Sequence, residues 1–134
     1  PGTPAGWQRI LAARDALLDA GAHLVAPCPH ARACPVTTPD WCHFAERVER
    51  TRTHRLAKSA TVPFEDEKYA YLAVARTPAA PPAARVLAPA RKGSGKVTLK
   101  LCNDDGSLRD RLVTKREGDL FRTARRLDWG DALE

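Results

Sequence analysis

The stretch Ala26-Pro-Cys-Pro-His-Ala-Arg-Ala-Cys-Pro-Val-Thr-Thr-Pro-Asp-Trp-Cys-His-Phe44 places three cysteines within fifteen residues. A fourth cysteine lies far along the chain, at the end of a segment that alternates apolar and polar residues. The four thiols are those of Cys28, Cys34, Cys42 and Cys102. Three clustered thiols and one distant thiol form a set of four ligands, and such a set binds a metal centre and joins two distant parts of a chain.

The spacing of the thiols indicates the kind of centre they bind. Five residues separate Cys28 from Cys34, and seven separate Cys34 from Cys42. A zinc ribbon needs close pairs, about two to four residues apart, so this pattern is of another class. The wider, uneven spacing favours a loop around a [4Fe–4S] cluster, because each iron of that cluster needs its own thiolate. From spacing alone, a zinc site and free or disulfide-linked cysteines stay open as alternatives.

Two histidines stand beside predicted ligands. His30 and His43 are candidates to replace one thiolate in a zinc site. A histidine in that position more often donates a hydrogen bond to a ligand than binds the metal, and four thiols already complete the set. Cys42 and His43 are also neighbours, as a nucleophile and its base would be, but no oxyanion-hole motif accompanies them. We therefore predict no catalytic residue.

The composition is that of one folded domain with a basic surface. The chain has 134 residues, no methionine, 43% hydrophobic and 28% charged residues, and a formal net charge of +6. Nucleic acid is the first partner to consider for such a charge. The apolar runs are too short for a transmembrane helix, and no signal peptide opens the chain. We expect an excerpt of a longer protein, in the bacterial cytoplasm or, as the alternative, in the mitochondrial matrix.

The first half of the chain is predicted to hold two helices and a strand. Apolar residues at helical spacing predict an amphipathic helix over 7–20, and a short strand over 23–26 follows it, as in half of a β-α-β unit. Arg14 interrupts the apolar face of this helix, and we expect its charge to reach water along an apolar stem. A second, basic helix is predicted from Asp40, as its N-cap, to Lys58.

The second half is predicted to be mainly strands. Strands over 69–75 and 97–102 are expected to pair as an antiparallel hairpin. Further short strands are expected over 85–88 and 108–114, and a helix over 119–127. The remaining segments are predicted as turns or loops: 64–68, 77–84, 92–96 and 103–106.

Two basic segments are candidates for contact with RNA phosphates, namely the predicted helix 43–58 and the tail 109–126. Their cationic side chains are Arg47, Arg50, Arg52, Arg55, Lys58, Arg122, Arg125 and Arg126. Aromatic residues that offer stacking lie nearby: Trp41, Tyr69, Tyr71 and Phe121. The alternative is a charged face that only meets solvent. For the acidic run Glu65-Asp-Glu67, helix capping or pairing with these arginines is favoured over cation binding.

Several strings together resemble one protein family. The strings are Ala26-Pro-Cys-Pro-His30, Trp41-Cys-His-Phe44 and Glu65-Asp-Glu-Lys68, with the late Cys102 and the closing Trp129-Gly-Asp131. They are similar to the Rsm-type, methyltransferase-like small-ribosomal-subunit assembly proteins of mitochondria and many bacteria. The resemblance covers nearly the whole chain, as a C-terminal portion.

The resemblance implies a fold. It is the C-terminal half of a class I (Rossmann-like) α/β methyltransferase domain, with a final antiparallel hairpin and a four-cysteine metal-binding insertion. Residues 1–26 would supply a helix and strand of the sheet, 27–58 the cysteine loop and basic helix, and 65–134 the hairpin and basic C-terminal segment. No glycine-rich loop follows a strand here, so the cofactor half would lie upstream.

The resemblance also implies ligands and partners. Cys28, Cys34, Cys42 and Cys102 match the positions that hold a [4Fe–4S] cluster, and the small ribosomal subunit with its RNA is the implied partner. Gly2 and Thr3 would line the edge of an S-adenosylmethionine pocket in the intact protein. Two alternatives stand beside this assembly role. One is an active S-adenosylmethionine-dependent RNA or protein methyltransferase, and the other is a zinc-stabilised RNA-binding domain.

Overall fold

The computed structural model describes residues 1–133, which form a mixed α/β structure of short elements. In chain order the elements are α1 (Pro4–Asp19), β1 (His23–Ala26), β2 (Phe44–Glu49), α2 (Arg52–Ala57), β3 (Phe64–Tyr69), β4 (Ala73–Ala75), β5 (Ala84–Val86), β6 (Arg91–Gly93), β7 (Lys96–Asn103), β8 (Leu108–Thr114), a 3-10 turn (Lys115–Glu117), α3 (Asp119–Ala124) and β9 (Ala132–Leu133). No helix among these residues is long and apolar enough to cross a membrane.

The first helix and strand confirm the prediction. The Thr3 hydroxyl accepts the backbone N–H of Gly6 at 3.1 Å, and Pro4 fits the first helical turn, so α1 begins three residues earlier than the apolar pattern indicates. Gly21, with φ of +83°, lets the chain leave the helix and enter β1. β1 pairs antiparallel with β4.

The predicted helix 40–58 and the predicted turn 64–68 are wrong. Residues 44–49 form β2, which pairs antiparallel with β3, and only Arg52–Ala57 are helical. The ladder places Arg47 opposite Asp66, so an opposite-charge pair across the strands stabilises extended backbone. Asp40 is no N-cap, because its carboxylate accepts the N–H of Trp41 at 2.9 Å and pairs with Lys100 of β7.

The largest sheet is built around β7. This strand pairs antiparallel with β8 along its length and with β5 and β6 on its other edge, while β9 pairs with β5. Its buried face packs with α3 into the main hydrophobic core. That core contains Val86, Val97, Leu99, Leu101, Val113, Phe121, Ala124 and Leu127.

The strands at β5, β7 and β8 and the helix at α3 confirm the sequence predictions, but the predicted hairpin of 69–75 with 97–102 is wrong. Residue 69 ends β3, and residues 73–75 form β4 on β1. β7 pairs with β8 because the turn at 103–106, where Gly106 has φ of +83°, joins them directly. The segment 92–96, predicted as a turn or loop, contains the end of β6 and the turn into β7.

All strand pairs among residues 1–133 are antiparallel. The presence of both helices and strands confirms the mixed α/β class. The Rossmann-like topology needs parallel neighbours for the strand at 23–26, and that finer part stays a prediction.

Candidate metal centre

The four cysteines line one cavity. Helix α1, the loop between β1 and β2, and the end of β7 surround it, and the side chains of Cys28, Cys34, Cys42 and Cys102 all contribute to its wall. None of the four is in a disulfide. The pairing of β7 with β5 and β8 fixes Cys102 at this position, with 6% of its surface exposed. The structure thus brings together the three clustered thiols and the distant one.

Apolar side chains form most of the remaining wall. Trp7 of α1 and Phe44 of β2 are almost fully buried beside the cysteines, and Pro27 lines the same cavity. Trp41 instead lines a neighbouring cleft, where its ring stacks on His43 with 4.7 Å between centroids. A dry apolar wall of this kind limits the access of water to a bound centre.

Burial sets the protonation of the thiols. Burial, with a smaller contribution from the neighbouring thiols, raises the pKa of Cys42 and of Cys102 to about 12. Burial also raises the pKa of Cys28, although the Arg14 guanidinium opposes that shift. Without a metal these three thiols are protonated at neutral pH, and metal binding has to displace their protons.

The donor types suit a thiolate-ligated centre, because four free thiols line one apolar cavity with a buried cation beside them. Within residues 1–133, no three side chains of His, Cys, Asp or Glu lie close enough together to hold a metal ion as the side chains stand.

The two histidines take different places. His30 is buried in the cavity wall, and its Nε2 lies 3.4 Å from the Cys102 sulfur. Burial lowers the pKa of His30, with Arg14 adding to the effect, so this imidazole is neutral at pH 7. His43 lies in the neighbouring cleft, with Nδ1 3.1 Å from the Trp41 carbonyl oxygen. His30 therefore contacts a candidate ligand, whereas His43 packs against aromatic rings.

Arg14 is a site residue that the sequence prediction placed wrongly. Its side chain is 3% exposed and lines the cavity, so its charge does not reach water. One terminal nitrogen, Nη2, donates to the carbonyl oxygens of His30 at 3.0 Å and Arg32 at 2.6 Å. The signal was present in the sequence as an arginine on the apolar face of α1.

The basic residues of the first segment are largely paired with acids. Arg47 donates to Asp66 at 2.7 Å, Arg50 donates to Glu65 at 2.7 Å, and Lys58 donates to Glu65 at 3.0 Å. Hydrogen bonds from Arg50 and then Lys58 lower the pKa of Glu65 to about 2. The predicted pairing of Glu65 and Asp66 with nearby arginines is confirmed, and these three cations are less available to phosphates.

The excess positive charge lies elsewhere. Residues 43–69 carry six Lys and Arg against five Asp and Glu, whereas residues 76–127 carry thirteen against five. Arg52, Arg125 and Arg126 are exposed and form no ion pair within the described chain, while Arg122 pairs with Asp119 and Arg55 is half-buried. Residues 76–127 are therefore the stronger electrostatic candidate for contact with RNA.

Gly2 and Thr3 have structural roles here. The Gly2 N–H donates to the Lys68 carbonyl at 2.8 Å, and its own carbonyl accepts Trp41 Nε1 at 2.9 Å. The Thr3 hydroxyl caps α1. Their place at the edge of an S-adenosylmethionine pocket stays a prediction.

The family model and the relatives that match this chain agree with one another. The family model described as "Rsm22: Mitochondrial small ribosomal subunit Rsm22" matches residues 1–134. The human protein "Ribosome assembly protein METTL17, mitochondrial" is 31% identical over 147 aligned positions, which cover 98% of this chain and 31% of that protein. The "Rsm22-cox11 tandem protein 2, mitochondrial" of Schizosaccharomyces pombe is 28% identical, over 97% of this chain and 23% of its own length. The chain thus spans a third or less of these relatives.

Proposed function

We propose a function on one established premise: the chain belongs to the Rsm22 family, whose description is the mitochondrial small ribosomal subunit protein Rsm22. The proposed function is a role in assembly of the small ribosomal subunit. The human relative is named a ribosome assembly protein, and the similarity to it extends over nearly all of this chain. Because the chain is a minor part of that relative's length, the activity of the whole protein is part of the proposal.

Within that role, the chain holds a [4Fe–4S] cluster on Cys28, Cys34, Cys42 and Cys102. The observation that carries this proposal is the convergence of all four thiols on one apolar cavity. The bound cluster joins the loop after β1 to the strand β7, whose Cys102 lies sixty residues further along the chain than Cys42. Ligands from separate elements make metal binding part of the folding free energy, so the cluster stabilises the arrangement of these elements.

The decisive experiment is anaerobic purification of the intact protein, with iron and sulfide analysis and a visible absorption spectrum. We expect about four irons and four sulfides per chain with a broad brown absorption, as the cubane composition requires. Zinc without sulfide would instead support the zinc-stabilised RNA-binding domain.

A Cys102→Ser variant gives the matching stability test. We expect it to lose the cluster and to melt at the temperature of the metal-free wild type, because a ligand that binds only the folded state raises the melting temperature. The control is Ser107→Ala, in the turn that follows β7. A Cys102→Ser protein that keeps its iron, sulfide and melting temperature would contradict the proposal.

Ribosomal RNA is the proposed contact of the basic surface. Thirteen Lys and Arg against five acids over residues 76–127 support contact with phosphates there. The arginines of β2 and α2 belong to the same proposal in a lesser role, because Asp66 and Glu65 already hold three cations of that segment.

Methyl transfer and cellular location complete the proposal. A Rossmann-like methyltransferase fold is proposed for the intact protein, and measured binding of S-adenosylmethionine to it separates an active methyltransferase from an assembly scaffold.

The relatives' names place those proteins in mitochondria, which supports the mitochondrial matrix over the bacterial cytoplasm.

A further inference from the structure

Arg14 is a buried cation whose partners do not neutralise it. Nη2 donates to the carbonyl oxygens of His30 and Arg32, which are neutral acceptors. The one carboxylate that it meets is that of Asp15, 3.2 Å from Nη1, and this side chain is 69% exposed and largely in water. Nε is buried and has no hydrogen-bond partner within residues 1–133.

Such an arrangement is unfavourable by itself. Removing a charged group from water is costly unless an opposite charge and hydrogen bonds compensate. Among the described residues that line the cavity, none is Asp or Glu, and Arg14 is the only one with a permanent charge. The groups on this cavity that can supply several negative charges are therefore its four cysteines, once they are deprotonated.

A second arginine holds the other side of the same loop. Arg85 of β5 donates from Nε to the Pro27 carbonyl at 2.9 Å and from Nη1 to the Gly130 carbonyl at 3.0 Å. Arg14 holds carbonyls just after Cys28, and Arg85 holds the carbonyl just before it. Arg85 is only half-buried and does not line the cavity, so water screens its charge more than that of Arg14.

We propose that Arg14 is the buried counter-ion of the four-thiolate site. Its charge stabilises the thiolates that hold the metal centre, and its hydrogen bonds fix the loop that carries Cys28. This inference rests on the proposed function, because it presupposes that the thiols bind a metal centre. Arg14 is a positioning residue and does not itself bind metal.

A counter-ion role for Arg14 can be distinguished from a purely structural role, in which the guanidinium only anchors loop carbonyls. Arg14→Gln keeps a hydrogen-bond donor and removes the charge, whereas Arg14→Lys keeps the charge and removes the planar fork. If the charge of Arg14 matters, the glutamine variant retains the metal less well than the lysine variant. If only hydrogen bonding matters, metal retention falls about equally in the two variants.

The experiment compares both variants with wild type in the intact protein, reconstituted anaerobically with ferrous iron and sulfide. The control is Arg9→Gln, which removes the same charge from an exposed position of α1. For Arg14→Gln we expect roughly 10–100-fold weaker retention of the metal against a chelator, which is the usual effect of losing a group that supports metal ligands. We also expect a more negative reduction potential, because reduction adds negative charge beside a site that has lost a positive one. Arg14→Lys and Arg9→Gln are expected to stay near wild type in potential.

Each outcome decides the question. Equal retention and potential in Arg14→Gln and Arg9→Gln overturn the counter-ion role and leave the metal site intact. A wild type that takes up neither iron–sulfur nor zinc overturns the proposed function and this inference together. If Arg14→Gln does not fold, Arg14→Lys decides: retention near wild type supports the charge, and a tenfold or greater loss overturns it.

Discussion

Gly2 shows how tightly one residue is enclosed at the start of the chain. Its N–H and its carbonyl are both used, by Lys68 and by the indole of Trp41. A Cβ added here would meet the backbone atoms of Lys68 and Tyr69 at 2.5 Å, closer than real Cβ contacts come. The side chain is therefore excluded by neighbouring backbone, and the position joins the start of α1 to the end of β3.

Gly2→Ala should accordingly destabilise the protein. Backbone of β3 has to move, and overpacking of this kind costs about 1–3 kcal/mol. Thermal unfolding measures this loss of stability, with Gly93→Ala as the control. The atoms nearest to a Cβ at Gly93 belong to the flexible Lys96 side chain, at 3.4 Å. Equal melting temperatures for the two variants would show that β3 can move away from residue 2 without cost.

At the scale of elements, the β2–β3 pair with α2 is organised around one carboxylate. Glu65 accepts from Arg50 and Lys58 and lies 3.2 Å from the His54 ring. These three partners come from the end of β2, from α2 and from its C-cap, so a single side chain on β3 joins the whole unit. The Arg47–Asp66 pair across the ladder and the contacts of Glu65 favour extended backbone in this run of Glu and Arg, and they outweigh the like-charge pair of Glu46 and Glu67.

The pH dependence of stability should report this carboxylate. The pKa of Glu65 in the folded protein is about 2, below its ordinary value of 4.5. Its contribution to the free energy of unfolding is thus fully present above about pH 4.5 and is lost as the pH falls towards 2. Glu65→Gln should lower stability at pH 6 and flatten the loss of stability in acid, measured by denaturant unfolding across pH 2–6.

Glu49→Gln is the matched control, because it removes an exposed carboxylate from the same pair of strands. It should leave the acid profile close to that of wild type. A Glu65→Gln profile as steep as that of wild type would show that other carboxylates govern the acid transition.

At the scale of the whole molecule, the candidate metal cavity and the excess of basic residues belong largely to different parts of the chain. Helix α1, the cysteine loop and β7 surround the candidate metal cavity, whereas the excess of basic residues lies on residues 76–127. Cys102 belongs to both, since β7 carries it on one face and packs Leu99 and Leu101 into the hydrophobic core on the other. A metal centre that holds Cys102 therefore also stabilises the sheet that presents the basic surface.

RNA binding should depend on this division. Replacing Arg125 and Arg126 together by Gln should weaken binding of small-subunit ribosomal RNA fragments and lower the slope of log affinity against log salt by about one to two, as expected for lost phosphate contacts. Replacing Arg47 and Arg50 together by Gln, which removes cations already paired with Asp66 and Glu65, should have a smaller effect. A larger loss from the second pair would place the contact on β2 and α2 instead.

The sequence by itself determined those features that depend on local order. The helix over 7–20, the glycine after it and the alternation in β7 and β8 each involve residues within one element or turn, so their pattern could be read directly, whereas the N-cap at Thr3 was missed. The sequence also predicted that the four cysteines lie together, and in the structure all four line one cavity.

Only the tertiary structure decided the rest. Residues 44–49 became a strand because β3, fifteen or more residues away, supplies the backbone partner for the whole ladder and places Asp66 opposite Arg47, and no local periodicity reports such a partner. Arg14 stayed out of water because the cysteine loop folds over it and offers carbonyl oxygens, whereas an isolated helix would have left it in solvent. In both cases the free energy comes from contacts between segments distant in sequence, which is why the pattern of a single segment could not predict them.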